Sequence, residues 1–177
     1  MTLLHLRPFQ KRDIPDLFTW FKNERDVLMW AGAALPWPLH RRDFIALIKQ
    51  HRGSEPVREI WAVEQAGEMI GQFQIAFNRR LNTAAIGRIA LAPTARGQGL
   101  SQPLMQIIIE QAFRRSWVHR ADLMVYAPNG PAISAYRKAG FVHEGTRRQT
   151  TPFQDEIWDT HVMSILRPEF DKRTERE

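Results

Sequence analysis

Ile86-Gly87-Arg88-Ile89-Ala90-Leu91-Ala92-Pro93, followed closely by Arg96-Gly97-Gln98-Gly99-Leu100-Ser101, decides how this chain is read. Thr83 to Leu91 is rich in strand formers, and Pro93 stops the strand. From Leu100 to Phe113, Leu100, Leu104, Ile107, Ile108 and Ala112 return every three or four residues, which is the period of a helix. Strand, glycine-bearing loop and helix in direct succession form an anion site. Gly97 and Gly99 let backbone approach a ligand without side-chain obstruction. The first amides of the following helix lack internal partners, and the helix dipole adds partial positive charge there. Arg96 can add a charge-assisted hydrogen bond to a phosphate. A dinucleotide fingerprint would need G-x-G-x-x-G, and a nucleoside triphosphate loop would end in Gly-Lys-Ser or Gly-Lys-Thr; neither occurs.

Upstream, Leu3 to Arg7 reads as a first strand closed by Pro8. Asp13 is placed to cap a helix from Ile14 to about Asn23, with Leu17, Phe18 and Phe21 on one face. A loop carrying Trp30, Pro36, Trp37 and Pro38 follows. Arg42 to His51 is a second helix, ended by Gly53. Ile60 to Glu64 and Met69 to Phe77 read as strands joined by the hairpin Gln65-Ala66-Gly67-Glu68. Downstream, Leu123 to Tyr126 is a short strand, and Asn129 opens a helix ending at Gly140. Phe141 to Thr150 and Ile157 to Ile165 pair as a terminal hairpin, and Asp171 to Glu177 is a frayed tail. This order predicts an α/β (α+β) fold, a mixed, mainly antiparallel sheet of about seven strands with helices on both faces.

The 177 residues suit a single domain. A 44% hydrophobic and 25% charged composition is that of a globular protein, with no apolar run long enough to span a membrane and no signal-peptide pattern at the start. Cysteine is absent, which excludes disulfides, thiolate metal sites and a cysteine nucleophile, and fits a cytoplasmic location. The net charge of +6 is dispersed, without the dense basic tract of a nucleic-acid-binding tail. No pair of histidines has His-x-x-x-His or His-Glu-x-x-His spacing, so no metal is expected, and no Gly-x-Ser-x-Gly elbow marks a serine hydrolase.

Together with Asn129-Gly130-Pro131-Ala132-Ile133-Ser134-Ala135-Tyr136-Arg137-Lys138-Ala139-Gly140-Phe141, the opening stretch resembles the GNAT superfamily of N-acetyltransferases. Arg96 to Ser101 looks like that family's acetyl-CoA motif, Gln or Arg, two residues, Gly, one residue, then Gly or Ala; Ser101 departs from the last position. The later stretch looks like its Asn-x-x-Ala-x-x-x-Tyr followed by Gly-Phe. The resemblance spans about residues 59 to 166. With Glu144-Gly145 and Ser164-Ile165-Leu166-Arg167-Pro168, it is nearest to the branch of ribosomal-protein N-terminal (RimJ/RimL-like) acetyltransferases.

The resemblance implies a single domain over 1–177, with a variable acceptor-side region at 1–58, an acetyl-CoA-binding core at 59–166 and the tail at 171–177. It implies acetyl-CoA as cosubstrate and direct transfer of acetyl to a primary amine, on a protein N-terminus or a small molecule, and it admits a homodimer. The backbone amides of Gly97, Gly99, Ser101 and Gln102 would hold the pyrophosphate, with Arg96 beside it. The backbones of Ile89 and Leu91 would pair with the pantetheine arm, and Asn129 would contact that arm, cap its helix, or do both. Tyr136 would protonate the departing thiolate, or stand as a core aromatic; Arg137 or Lys138 would meet the 3′-phosphate, or be solvated. The strand before the loop has no carboxylate to act as base, which leaves Glu24, Asp26, Glu64 or a water chain. Trp30, Trp37, Trp61 and Phe73 would line an acceptor pocket or belong to the core. A noncatalytic acyl-CoA-binding module is the alternative to an enzyme, and a nucleic-acid-binding domain is a third reading.

Overall fold

The computed structural model describes residues 4–49 and 56–174. In chain order the elements are β1 (His5–Pro8), α1 (Ile14–Thr19), α2 (Glu24–Ala31), α3 (Arg41–Lys49), β2 (Arg58–Gln65), β3 (Glu68–Asn78), β4 (Thr83–Leu91), α4 (Ser101–Phe113), β5 (Arg120–Tyr126), α5 (Gly130–Lys138), β6 (Val142–Phe153), β7 (Glu156–Leu166) and α6 (Arg167–Thr174). The strands form one seven-stranded sheet in the order β1-β2-β3-β4-β5-β7-β6. β1–β2, β2–β3, β5–β7 and β6–β7 pair antiparallel, and β4 pairs with β5 in parallel from Thr83↔Arg120 to Ile86↔Leu123. The mixed, mainly antiparallel sheet of the sequence reading is what forms.

Two elements differ from expectation. The segment holding Trp30 is helical, not loop. Asn23 caps α2 by accepting from the Asp26 amide at 2.9 Å, while the Asp26 carboxylate accepts from the Lys22 amide, also at 2.9 Å. Gly32, at φ +67°, ends the helix. The chain after β7 forms α6 through Thr174, taking in Asp171, where a frayed tail is expected. Arg167 anchors it by donating to the carbonyls of Val118, Phe113 and Arg115. Phe170 stacks on Phe113, with centroids 5.1 Å apart. These partners lie about fifty residues away in sequence, so no local pattern announces them. Asp13 is also diverted from its expected cap: its carboxylate takes two hydrogen bonds from Arg7 and one from the Gln10 amide. The expected helix ends at His51 and Gly53 lie outside the described residues.

The backbone divides into two compact units, Met1–Ala76 with Gly87–Leu100, and Phe77–Ile86 with Ser101–Glu177. In the first, α1, α2 and α3 bury Leu17, Val27 and Phe44 against Ile60, Ala62 and Ile70 of the sheet. Phe44 lies at the centre, fully buried, against Phe9, Phe18 and Trp30. In the second, α4 buries Leu104, Met105, Ile108, Ile109 and Ala112, and β5 and β7 bury Ala121, Leu123, Met163 and Ile165. Glu144, part of the sequence resemblance, accepts two hydrogen bonds from Arg120 and one from Ser164. This holds its carboxyl down at about 2, Arg120 being the main cause.

Two outcomes test this packing. Phe44→Ala should lower the unfolding free energy by about 3–5 kcal/mol in urea titration. Glu144→Gln should destabilise at neutral pH. Because folding depresses this carboxyl, its stabilising effect is full above about pH 4.5 and fades as pH falls toward 2. The gap between variant and parent should close over that range.

Candidate functional site

β4 delivers the loop. The Ala92 amide donates to the Ile70 carbonyl at 2.8 Å, extending the β3–β4 contact past the strand end, and a 3-10 turn over Pro93–Ala95 then reverses the chain. Gly97 and Gly99 both stand at φ +75°. A Cβ built on either meets nothing within 4 Å, so neighbours do not demand glycine there; the left-handed backbone does, together with any ligand laid against it. The exposed loop opens into thirteen-residue α4, whose first-turn amides at Ser101 and Gln102 have no partner within the helix. That is the chemistry of a polyphosphate cradle.

Each expected residue has a definite place. In the first unit, exposed Arg96 donates from Nε to the Leu91 carbonyl at 3.0 Å, so the strand end itself holds Arg96 beside the glycines. Ile89 and Leu91 are half-buried on the last turn of strand before the loop. In the second unit, Asn129 uses Oδ1 to cap α5, accepting from the Ala132 amide at 3.3 Å, which leaves its amide nitrogen as the group that can meet a ligand. Gln102 donates from its side chain to the Ala135 carbonyl at 3.2 Å and so ties α4 to α5 one residue before Tyr136. The Tyr136 ring is half-buried against Phe141, and burial pushes its phenol up to about 12. Arg137 and Lys138 sit exposed in the last turn of α5, where the helix dipole favours positive charge.

The acceptor-side expectations sort differently. Trp30 stacks on Phe21 at 4.2 Å and Phe73 is fully buried, so both belong to the core; Trp37 is exposed. Among the base candidates, Glu64 is held by Arg7, Asp26 is used in the α2 cap, and Glu24 is exposed. A carboxylate that sequence reasoning passed over, Glu59 on β2, is 1% exposed and accepts from the Trp61 indole at 3.1 Å. It follows Arg58 and lies one residue before the strand expected from Ile60, so the local sequence carries no sign of its burial. Among the described residues, no group of three or more acidic or histidine side chains is arranged to hold a metal, and no helix is long and apolar enough to cross a membrane.

A strand, a glycine turn and a helix with open amides form a phosphate-gripping element, and the comparisons with known proteins give its class as acyltransferase. The acetyltransferase (GNAT) family profile matches residues 16–141, most of the chain, so the chain belongs to this family of acetyl-CoA-dependent N-acetyltransferases. The L-amino acid N-acetyltransferase AaaT of Escherichia coli K12 is 28% identical over 103 residues, 57% of this chain and 64% of that protein, so the chain spans less than two thirds of it. The ribosomal protein bS18-alanine N-acetyltransferase of the same organism is 28% identical over 128 residues, 67% of this chain and 86% of that protein. A crystal structure of spermidine N-acetyltransferase from Vibrio cholerae, in complex with CoA and spermine, superposes with a TM-score of 0.81 over 94% of this chain and 97% of that one. At 22% identity that likeness establishes the fold.

The loop yields a direct test. Gly97→Ala should cost about 1–2 kcal/mol of stability through left-handed strain and should weaken acetyl-CoA binding. Urea unfolding and calorimetric titration read the two effects, and no change in either would show that the turn does not need its glycine.

Proposed function

We propose that this chain transfers the acetyl group of acetyl-CoA to a primary amine by direct attack, and that its two units serve as one catalytic domain. The Gly97–Gly99 turn running into α4 carries this reading, since it presents backbone donors where a pyrophosphate would lie. Bound acetyl-CoA supplies the activated thioester. The amine nitrogen forms the new C–N bond, the C–S bond breaks, and the sulfur leaves as a thiolate that takes up a proton. Gly97, Gly99, Ser101 and Gln102 hold the pyrophosphate through their amides with Arg96 alongside. The backbones of Ile89 and Leu91 align the pantetheine arm, and Asn129 meets it with its amide nitrogen. Family membership and the CoA complex of the superposing structure support this donor. The absence of cysteine supports a cytoplasmic setting and rules out a cysteine-linked intermediate.

Tyr136 is the group we place at the leaving sulfur. A phenol at about 12 lies well above a thiol near 8.5, so complete transfer to a free thiolate is uphill by about 5 kcal/mol. Tyr136 therefore works first as a hydrogen-bond donor, and its proton moves as the strongly acidic N–H of the newly acylated amine replaces it. No carboxylate is assigned as base, and the amine loses its first proton through water. The relatives named above act on an amino acid, on a ribosomal protein alanine and, for the superposing structure, on spermidine, so family membership leaves the acceptor open.

Release of coenzyme A thiol across an amine panel tests the reading. Tyr136→Phe should keep acetyl-CoA affinity and slow turnover about tenfold or more, with no alkaline limb from Tyr136 below about pH 11 in the parent. Unchanged turnover removes Tyr136 from the mechanism. Acetyl-CoA binding without thiol release from any amine identifies a binding module instead.

A further inference from the structure

β3 carries two glutamines where its pattern calls for apolar residues. Gln72 and Gln74 are 0% and 1% exposed, and register sets them opposite Ala62 and Ile60, on the sheet face covered by α1, α2 and α3. Burying an amide without partners costs about 1–3 kcal/mol, so such groups call for an explanation. Both ends of Gln72 and the nitrogen of Gln74 have no partner. The Gln74 oxygen accepts from two guanidiniums, Arg88 Nη1 at 2.7 Å and Arg58 Nη1 at 3.3 Å. Among the described residues, all five buried side-chain polar atoms without a partner belong to the first unit, and four of them to Gln72, Gln74 and Arg88.

Arg88 is the unusual member. It stands at φ +49° inside β4, as Gln149 does at +52° inside β6, whereas Ala66, Asn82 and Gln154 reach positive φ at turns. A left-handed non-glycine residue costs about 1–2 kcal/mol and is kept where something over-determines it. Its guanidinium is half-buried, its Nε is buried without a partner, and it forms no ion pair with any described carboxylate. Burial and the neighbouring Arg58 charge both disfavour its protonated form. With Nη1 engaged by Gln74 and Nε buried, Nη2 is the donor left to meet a carboxylate through a charge-assisted hydrogen bond. The next residue is Ile89, whose backbone the reading above places along the thioester arm. One residue of strand is roughly 3.3 Å, and an α-amino acid carries its amine and its carboxylate on one carbon.

We propose that Arg88, held by Gln74 and flanked by Gln72 and Arg58, is the carboxylate-recognising element of the acceptor site, so that the acceptor is a small amine bearing a carboxylate, not a polyamine. The inference rests on the acetyltransferase reading and narrows it. A polycation would meet the Arg88 guanidinium with no carboxylate on it to offset its charge, whereas a carboxylate would engage its Nη2 and relieve the repulsion from Arg58.

Two titrations separate the claims. Acetyl-CoA is titrated into the wild-type chain first; no binding sinks the acetyltransferase reading itself. With coenzyme A bound, N-acetyl-L-alanine, N-acetyl-L-leucine and N-acetyl-L-phenylalanine are then compared with their carboxamides and with N1-acetylspermidine. The acids should bind roughly thirtyfold or more tighter than the amides, the preference should collapse in Arg88→Gln, and Arg88→Lys should restore part of it. The proposal fails if no acid binds, if amides bind as well, if N1-acetylspermidine binds better, or if Arg88→Gln keeps the preference. Loss of acetyl-CoA binding in Arg88→Gln would also overturn it, by giving Arg88 a donor-side role. Should that variant not fold, Arg88→Lys carries the test: it should lower the acid-to-amide ratio of the parent, and an unchanged ratio overturns the assignment to Arg88.

Discussion

The turn between β4 and α4 depends on two residues whose backbone must be left-handed. Gly97 and Gly99 share φ +75° with open space where side chains would sit, so the constraint there is torsional, not steric. That turn lets a strand stop at Leu91 and a helix start at Ser101 while the first amides of the helix stay without internal partners. Arg96, bonded back to the Leu91 carbonyl, adds its charge at the same place. On the proposed reading, the donor half of the function is a property of backbone geometry, with Ser101 standing where the family pattern has Gly or Ala.

Charge organises the rest by being satisfied in some places and left unsatisfied in others. Arg7 gathers Asp13 and Glu64 beside β1 and β2, and Arg120 gathers Asp122 and Glu144 in the second unit. The first network consumes Glu64, one of the carboxylates that reads from sequence as a base candidate. Against that background Arg88 stands out, with a neutral amide as its partner and a strained backbone beneath it. Most polar atoms of a folded chain find partners, so a cluster of those that do not is informative. Among the described residues, three of the five lie on β3 and one on its neighbour β4, the strand that leads into the Gly97–Gly99 turn.

Much of the fold was legible because its signals are local. The expected β4 matches to the residue and α4 within one, since Pro93 stops the strand, Gly99 precedes the helix, and the apolar residues of α4 keep a helical period. The α2 helix departs from the loop expected there: Asn23 and Asp26 spell its cap, but the prolines beyond Trp30 are the stronger local signal. The α6 helix had no such spelling. Arg167 holds it to carbonyls of Phe113, Arg115 and Val118, and Phe170 lies on Phe113.

The sequence by itself determined the order of strands and helices, the left-handed glycine turn, and the family to which Asn129 and Tyr136 belong by spacing, because each depends on neighbours within a dozen residues. Only the tertiary structure decided which polar side chains meet. Period-two alternation says that Gln72 and Gln74 share a face. It does not say that this face is the buried one, that Arg58 and Arg88 would reach the same oxygen from sixteen and fourteen residues away, or that Glu64 would be held by Arg7. Register across strands sets those meetings, and register is fixed by the packing of the whole sheet face, not by any one stretch of chain.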